Sequence, residues 1–206
     1  LAGVGRPDPA GPPVVGALVD GTALRGARGV AYDAASGLAF VSAAEGGALS
    51  VVSVSDPTRP TLVGALVDAE RLRGASAVAF DASTGRAYVA CSGASSIAVV
   101  DVSTPEAPEL VGELAGVASL GGAVGVALDA AEQRVVVACE LADGVAVVDV
   151  RDPRSPRLLG NVSGAAALGG ASAVALGASS ASSQLAYVLG ATAGSLVVLD
   201  VSDASL

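Results

Sequence analysis

Short apolar runs alternate along the chain with turns rich in Gly, Asp, Ser and Pro, and one phrase recurs. It reads LSVVSVSDPTRPTLVG at Leu49–Gly64, SIAVVDVSTPEAPELVG at Ser96–Gly112 and VAVVDVRDPRSPRLLG at Val145–Gly160. Pro57, Pro105 and Pro153 are spaced by 48 residues (105 − 57, 153 − 105), and so are Pro60, Pro108 and Pro156. One further step back lands on Pro9 and Pro12. Leu24, Leu72, Leu120 and Leu168 keep the same step, as do Gly26, Gly74, Gly122 and Gly170. A fixed period of this length marks a repeat architecture. The chain, 1–206, is read as a single domain of four copies of one 48-residue unit.

Each copy contains four apolar runs separated by turn residues, the pattern of a four-stranded antiparallel meander. The first strand is predicted at Gly29–Asp33, Ala77–Asp81, Gly125–Asp129 and Ala173–Gly177, and the second at Leu38–Ser42, Arg86–Ala90, Arg134–Ala138 and Leu185–Leu189. The third ends at Val54, Val102, Val150 and Val201. The fourth follows the Pro-x-x-Pro turn, at Val14–Leu18, Thr61–Leu66, Glu109–Leu114 and Arg157–Val162. Small residues in the first strand suit a crowded axis, and polar Glu113 and Asn161 in the fourth suit an outer edge. Four-stranded sheets repeated every 40 to 50 residues predict an all-β fold, a β-propeller with one blade per repeat.

The phrase VVDV-x-x-P-x-x-P-x-LVG, preceded by a GVA-x-D…AYVA pair, resembles the LVIVD-repeat propellers, and more distantly YVTN and NHL blades. The resemblance spans almost the whole chain. It departs from the family in an insertion of about six residues beside the Leu24-type positions, and in Ser53 where other copies have Asp101, Asp149 and Asp200. It implies a propeller with a binding or surface role and no shared catalytic residues.

The chain opens on a fourth strand and closes after a third, so its two ends together could supply one blade. We expect Val14–Leu18 to complete the last blade and close a four-bladed ring, with a slice of a larger propeller as the rival. A four-bladed ring splays its sheets widely and calls for bulky filler, yet aromatics are only 2% of the residues. The inserted segments TALRGA, ERLRGA, ASLGGA and AALGGA could act as one-turn plugs.

Composition then removes most chemistries. The 206 residues contain no His and no Met, and all 11 cationic side chains are arginines. Without His there is no Ser-His-Asp or Cys-His nucleophile and no His-ligated metal; without Lys there is no Schiff base and no phosphate-loop lysine. A net charge of -9 with no basic stripe argues against nucleic acid. Each apolar run is too short to span a bilayer. No catalytic, cofactor or metal residue is therefore assigned.

Asp33, Asp81 and Asp129 read as turn caps, and Asp101, Asp149 and Asp200 as backbone anchors beside the Pro turn. Glu140 and Asp143 could help hold Ca²⁺ but lack the spaced Asp pattern of a calcium loop. Cys91 and Cys139 are expected as free, buried thiols. Asn161-Val162-Ser163 is a glycosylation sequon, which suits an extracellular, cell-surface or organelle-lumenal protein.

The loops before the first strands differ between halves. Asp20, Arg25 and Arg28, then Asp68, Glu70, Arg71 and Arg73, charge the first two, whereas Ala115–Val124 and Ser163–Val174 carry no charge. One half of one face should then be apolar, as in a surface that meets another protein. A contact centred on Val117, Leu120, Ala166 and Leu168 is expected, with Leu120 and Leu168 as inward plugs the competing reading. The leading function is a non-catalytic interaction or scaffold module, a subunit of a larger assembly or a surface or secreted binding protein. The alternative is a carboxylate- or calcium-dependent hydrolase or lactonase with its site at the channel mouth, where Arg28, Ser76, Val124 and Ser172 are expected.

Overall fold

The computed structural model describes residues 13–177 and 184–203. The first blade is β1 (Ala27–Asp33), β2 (Leu38–Ala43), β3 (Ala48–Ser53) and β4 (Thr61–Val67). The second is β5 (Ala75–Asp81), β6 (Arg86–Cys91), β7 (Ser96–Asp101) and β8 (Glu109–Leu114). The third is β9 (Ala123–Asp129), β10 (Arg134–Cys139), β11 (Gly144–Asp149) and β12 (Arg157–Val162). The fourth holds, among the described residues, three strands, β13 (Ala171–Leu176), β14 (Leu185–Gly190) and β15 (Ser195–Asp200). Every sheet is an antiparallel meander in chain order, and no helix among the described residues is long and apolar enough to cross a membrane.

β1, β5, β9 and β13 pack side by side in succession along the inside of the arc. The crowding expected there is observed: a Cβ on Gly29 would lie 2.8 Å from Ala77 Cα, and one on Gly125 3.2 Å from Ala173 Cα. The third strands end one residue earlier than the apolar run, because Val54, Val102, Val150 and Val201 donate their N–H back to the first hairpin at Gly37, Gly85, Gln133 and Gln184. These valines close the blade's inner turn against its middle.

Three apolar layers lie between successive blades. Phe40, Leu49 and Val51 meet Val78, Val89 and Val100 in the first, where Phe40 and Phe80 stack with centroids 4.2 Å apart. Tyr88, Ile97 and Val99 meet Val135, Val137 and Val148 in the second, and Val136, Val145 and Val147 meet Ala186, Val188 and Val201 in the third. β6, β7, β10 and β11 are thus covered on both faces, which is why they read as unbroken apolar runs without alternation. Leu72, Leu120 and Leu168 are the plugs, each inserted between two blades and fully or almost fully buried. They supply the bulk that Val- and Ala-rich sheets lack.

The expected closure is not what the structure shows. Val14–Leu18 does not form a strand, and among the described residues β15 pairs with β14 alone. No packing comparable to that between neighbouring inner strands joins β13 to β1 among the described residues. The N-terminal segment lies beside the Pro57–Pro60 turn, where a Cβ on Gly16 would be 2.2 Å from the Pro57 carbonyl oxygen. Its linkage to blade 1 holds it at the opposite end of the arc from β15.

Candidate interaction surface

The loops before the inner strands lie on one side of the arc, and each is built by local bonds. In the first two, an aspartate caps the turn: Asp20 accepts from the Thr22 and Ala23 N–H groups, and Asp68 from those of Glu70 and Arg71. Those backbone donors hold both carboxyls below the usual carboxylate range. Arg71 also pairs with Asp68 at 2.7 Å, and Arg25 with Glu45 at 3.2 Å, both toward solvent. This half of the face is a solvated set of internally matched charges.

The other half is different in kind. Ala118–Leu120 and Ala166–Leu168 are single turns of 3₁₀ helix with no charged residue in either. Each drops its leucine into the layer below, so Leu120 and Leu168, expected in a contact surface, are core residues; the turn geometry aims them inward. Val117 is half-buried, packed against the second layer, and Ala166 is exposed. Side chains of the preceding blade brace the loops: Gly122 donates to Ser95 Oγ at 3.3 Å and Gly170 to Asp143 Oδ1 at 2.7 Å. Asp143 is therefore tied to the next loop, and Glu140 is exposed. Among the described residues no three His, Cys, Asp or Glu side chains lie together.

Between the first uncharged loop and the outer strand of blade 3 lies a groove of about 470 Å³. Val117, Ala118 and Ser119 of the loop line it, together with Ala142, Leu158, Asn161, Ser163 and Gly164. Asn161 Nδ2 donates to Ser163 Oγ at 3.2 Å, and both sequon side chains line the groove. Leu141, next to Ala142 in the chain, is 78% exposed. Against Gly26, Gly74, Gly122 and Gly170 the successive blades place Glu45, Gly93, Leu141 and Thr192, so the apolar side chain is particular to blade 3. Sequence reasoning found Val117 and Asn161 separately but not their meeting. Leu158 and Ala142 gave no signal, since only the packing of the loop back over β10 and β11 brings these distant parts of blade 3 to it.

At the expected channel mouth, Ser76 is buried, donating to the Gly74 carbonyl at 2.7 Å and sharing a bond with Ser92 Oγ at 3.0 Å. Arg28 is exposed, Val124 and Ser172 are half-buried, and these four positions bring no carboxylate. Cys91 and Cys139 are free and buried, and burial pushes both thiols up to about 12.

The LVIVD repeat family matches residues 37–68, 80–115 and 180–206. The chain carries LVIVD repeats. No curated protein matches it in sequence. Among solved structures it is similar to the β-propeller domain of Swd1 from Myceliophteria thermophila, with 14% identity and a TM-score of 0.64 over 84% of this chain and 52% of that one. It is similar to the periplasmic gluconolactonase PpgL of Pseudomonas aeruginosa, with 14% identity and a TM-score of 0.56 over 82% and 55%. A functionally unknown protein from Desulfotomaculum acetoxidans DSM 771 gives 11% identity and a TM-score of 0.59 over 84% and 55%. The chain spans about half the length of each. At these identities the likeness establishes the propeller fold alone.

Proposed function

We propose that this LVIVD-repeat propeller is a non-catalytic interaction module that takes an uncharged, apolar segment of another protein into the groove between Val117 and Gly164. The observation that carries this reading is the groove itself, an uncharged cleft beside a largely exposed leucine on an otherwise charged, acidic molecule. An exposed apolar concavity rimmed by polar groups is the ordinary form of a peptide-binding site. Its walls come from a loop and an outer strand braced by the propeller, so binding orders little backbone and loses little entropy. A glycan on Asn161 would occupy the same space, so the reading applies to the chain with that side chain unmodified.

Selection of random peptides displayed on phage against the purified chain tests this. The expected outcome is enrichment of aliphatic and aromatic side chains, with binding weakened about tenfold or more by Val117→Asp or Leu158→Glu and unchanged by Arg25→Ala. Peptides without a shared pattern, or binding indifferent to both groove variants, would overturn the assignment. Turnover of an aldonolactone by the same preparation would favour the hydrolase alternative.

A further inference from the structure

Asn161 is the only asparagine in the 206 residues, and Ser163 two positions on makes it the acceptor of an N-glycosylation sequon. Both side chains depart from the repeat. Steps of 48 residues pair Asn161 with Ala17, Ala65 and Glu113, and Ser163 with Val19, Val67 and Ala115. A blade is therefore built without an amide at the first position or a hydroxyl at the second. The two side chains do not brace blade 3 either. Asn161 Nδ2 donates to Ser163 Oγ at 3.2 Å, and among the described residues that is the one hydrogen bond either side chain makes.

The surroundings suit a bulky polar attachment. β12 is the outer strand of its sheet, paired with β11, and the sequon lies where the chain leaves it. Asn161 is half-buried, and Ser163 and Gly164 are exposed. A Cβ on Gly164, which has φ +68, would meet nothing within 4 Å. Val162 packs into the layer between blades 3 and 4, and strand alternation turns Asn161 to the other face of the sheet. There it lines the groove with Val117, Ser119 and Leu158. The amide nitrogen is thus at once reachable from solvent and rooted in the site proposed to bind a peptide.

We infer that Asn161 carries an N-linked oligosaccharide and that the modified chain has its groove closed. The donor is a lipid-pyrophosphate-linked oligosaccharide. The reaction joins Asn161 Nδ2 to the anomeric carbon of the donor, and the bond from that carbon to the phosphate oxygen breaks. The lipid pyrophosphate leaves, and the amide gives up one proton. Closure of the groove rests on its being the binding site, as proposed above. An oligosaccharide attached in its lining stands between an incoming peptide and the side chains of Val117 and Leu158. Occupancy of Asn161 then sets the fraction of molecules able to take a partner, and the apparent affinity falls with that fraction.

Peptide mapping by mass spectrometry of the protein isolated from its own cells should find oligosaccharide on Asn161, and an unmodified Asn161 throughout overturns the site. Secreted from yeast behind a cleavable leader, the 206-residue chain should be heavier by one oligosaccharide, and Ser163→Ala should remove the increment. A secreted chain of unmodified mass counts against the inference as well. Alanine already stands at the matching position 115, so Ser163→Ala should leave the circular dichroism spectrum unchanged; Asn161→Ala, matching Ala17 and Ala65, should lose the increment in the same way. Peptides selected on the unmodified chain should bind the Ser163→Ala chain, and bind the glycosylated chain about tenfold or more weakly. Equal binding to the two overturns the closure. Peptides that bind the unmodified chain regardless of Val117→Asp would overturn the groove reading and the closure with it, while the mass at Asn161 decides the modification separately.

Discussion

Arg134 is the one buried arginine among the described residues, and it holds two blades together. Its Nε donates to Asp129 Oδ2 at 3.0 Å across the first hairpin of blade 3, and its Nη1 reaches the Ser202 carbonyl beyond β15 at 3.3 Å. Replacing it with Met leaves the Asp129 carboxylate buried without its counter-charge, so Arg134→Met should cost about 3–5 kcal/mol in urea unfolding. Adding Asp129→Asn should recover most of that loss. The aspartates as a group were legible in the sequence, because a carboxylate bonding the N–H two or three residues ahead needs only local geometry: Asp33 to Ala35, Asp81 to Ser83, Asp101 to Ser103. The Arg134 clamp was not. Its repeat-mates are Leu38, Arg86 and Leu185, and nothing in that set distinguishes a buried guanidinium from a solvated one.

Strands show the same division between local and distant causes. The four-strand rhythm was legible because short apolar runs and Gly- or Pro-marked turns are written in contiguous sequence, and the boundaries of the observed strands depart from it by a residue or two. The bulge recurring between Val51 and Val52, Val99 and Val100, and Val147 and Val148 was not legible, since it depends on what the outer strand meets. What it meets is the Pro turn of the next blade, which comes so close that the outer strand needs glycine there. Gly112→Ala would push a Cβ to 2.1 Å from a backbone oxygen that cannot step aside, and should cost about 1–3 kcal/mol by thermal unfolding. Gly21→Ala, with nothing within 4 Å, should be neutral within about 0.5 kcal/mol. Equal effects at the two sites would mean that blade contacts do not set the requirement. The kind of strand at Val14–Leu18 was legible from its repeat-mates, and Gly16 packs on Pro57 as Gly64 packs on Pro105; the pairing with β15 was not legible, because it depends on the turn of each blade against the next.

At the scale of the molecule, stability rests on apolar layers between blades and on a fringe of aspartate-capped turns, and only the second responds to pH. Asp33 is held below its ordinary 3.8 first by the Ser36 hydroxyl, Asp101 by the Ser103 hydroxyl, and Asp149 by the Arg151 guanidinium. At Asp81 burial is the largest influence and raises the pKa, but bonds from Gln133, Ser83 and Thr84 together outweigh it and lower the result. Each group therefore binds its proton more weakly folded than unfolded, and the stability it adds is complete above the unfolded value and lost as pH falls through the folded one. Gln133 comes from blade 3, so protonating Asp81 loosens a contact between blades as well as a turn. With no histidine in the chain, no side chain ordinarily titrates between pH 5 and 8. The melting temperature should be level across that interval and should fall steeply only below about pH 4. Asp81→Asn should soften the acid transition, since one linked proton is gone. A transition centred near pH 6 would mean that some other group, brought to an unusual pKa by assembly, governs the stability of the arc.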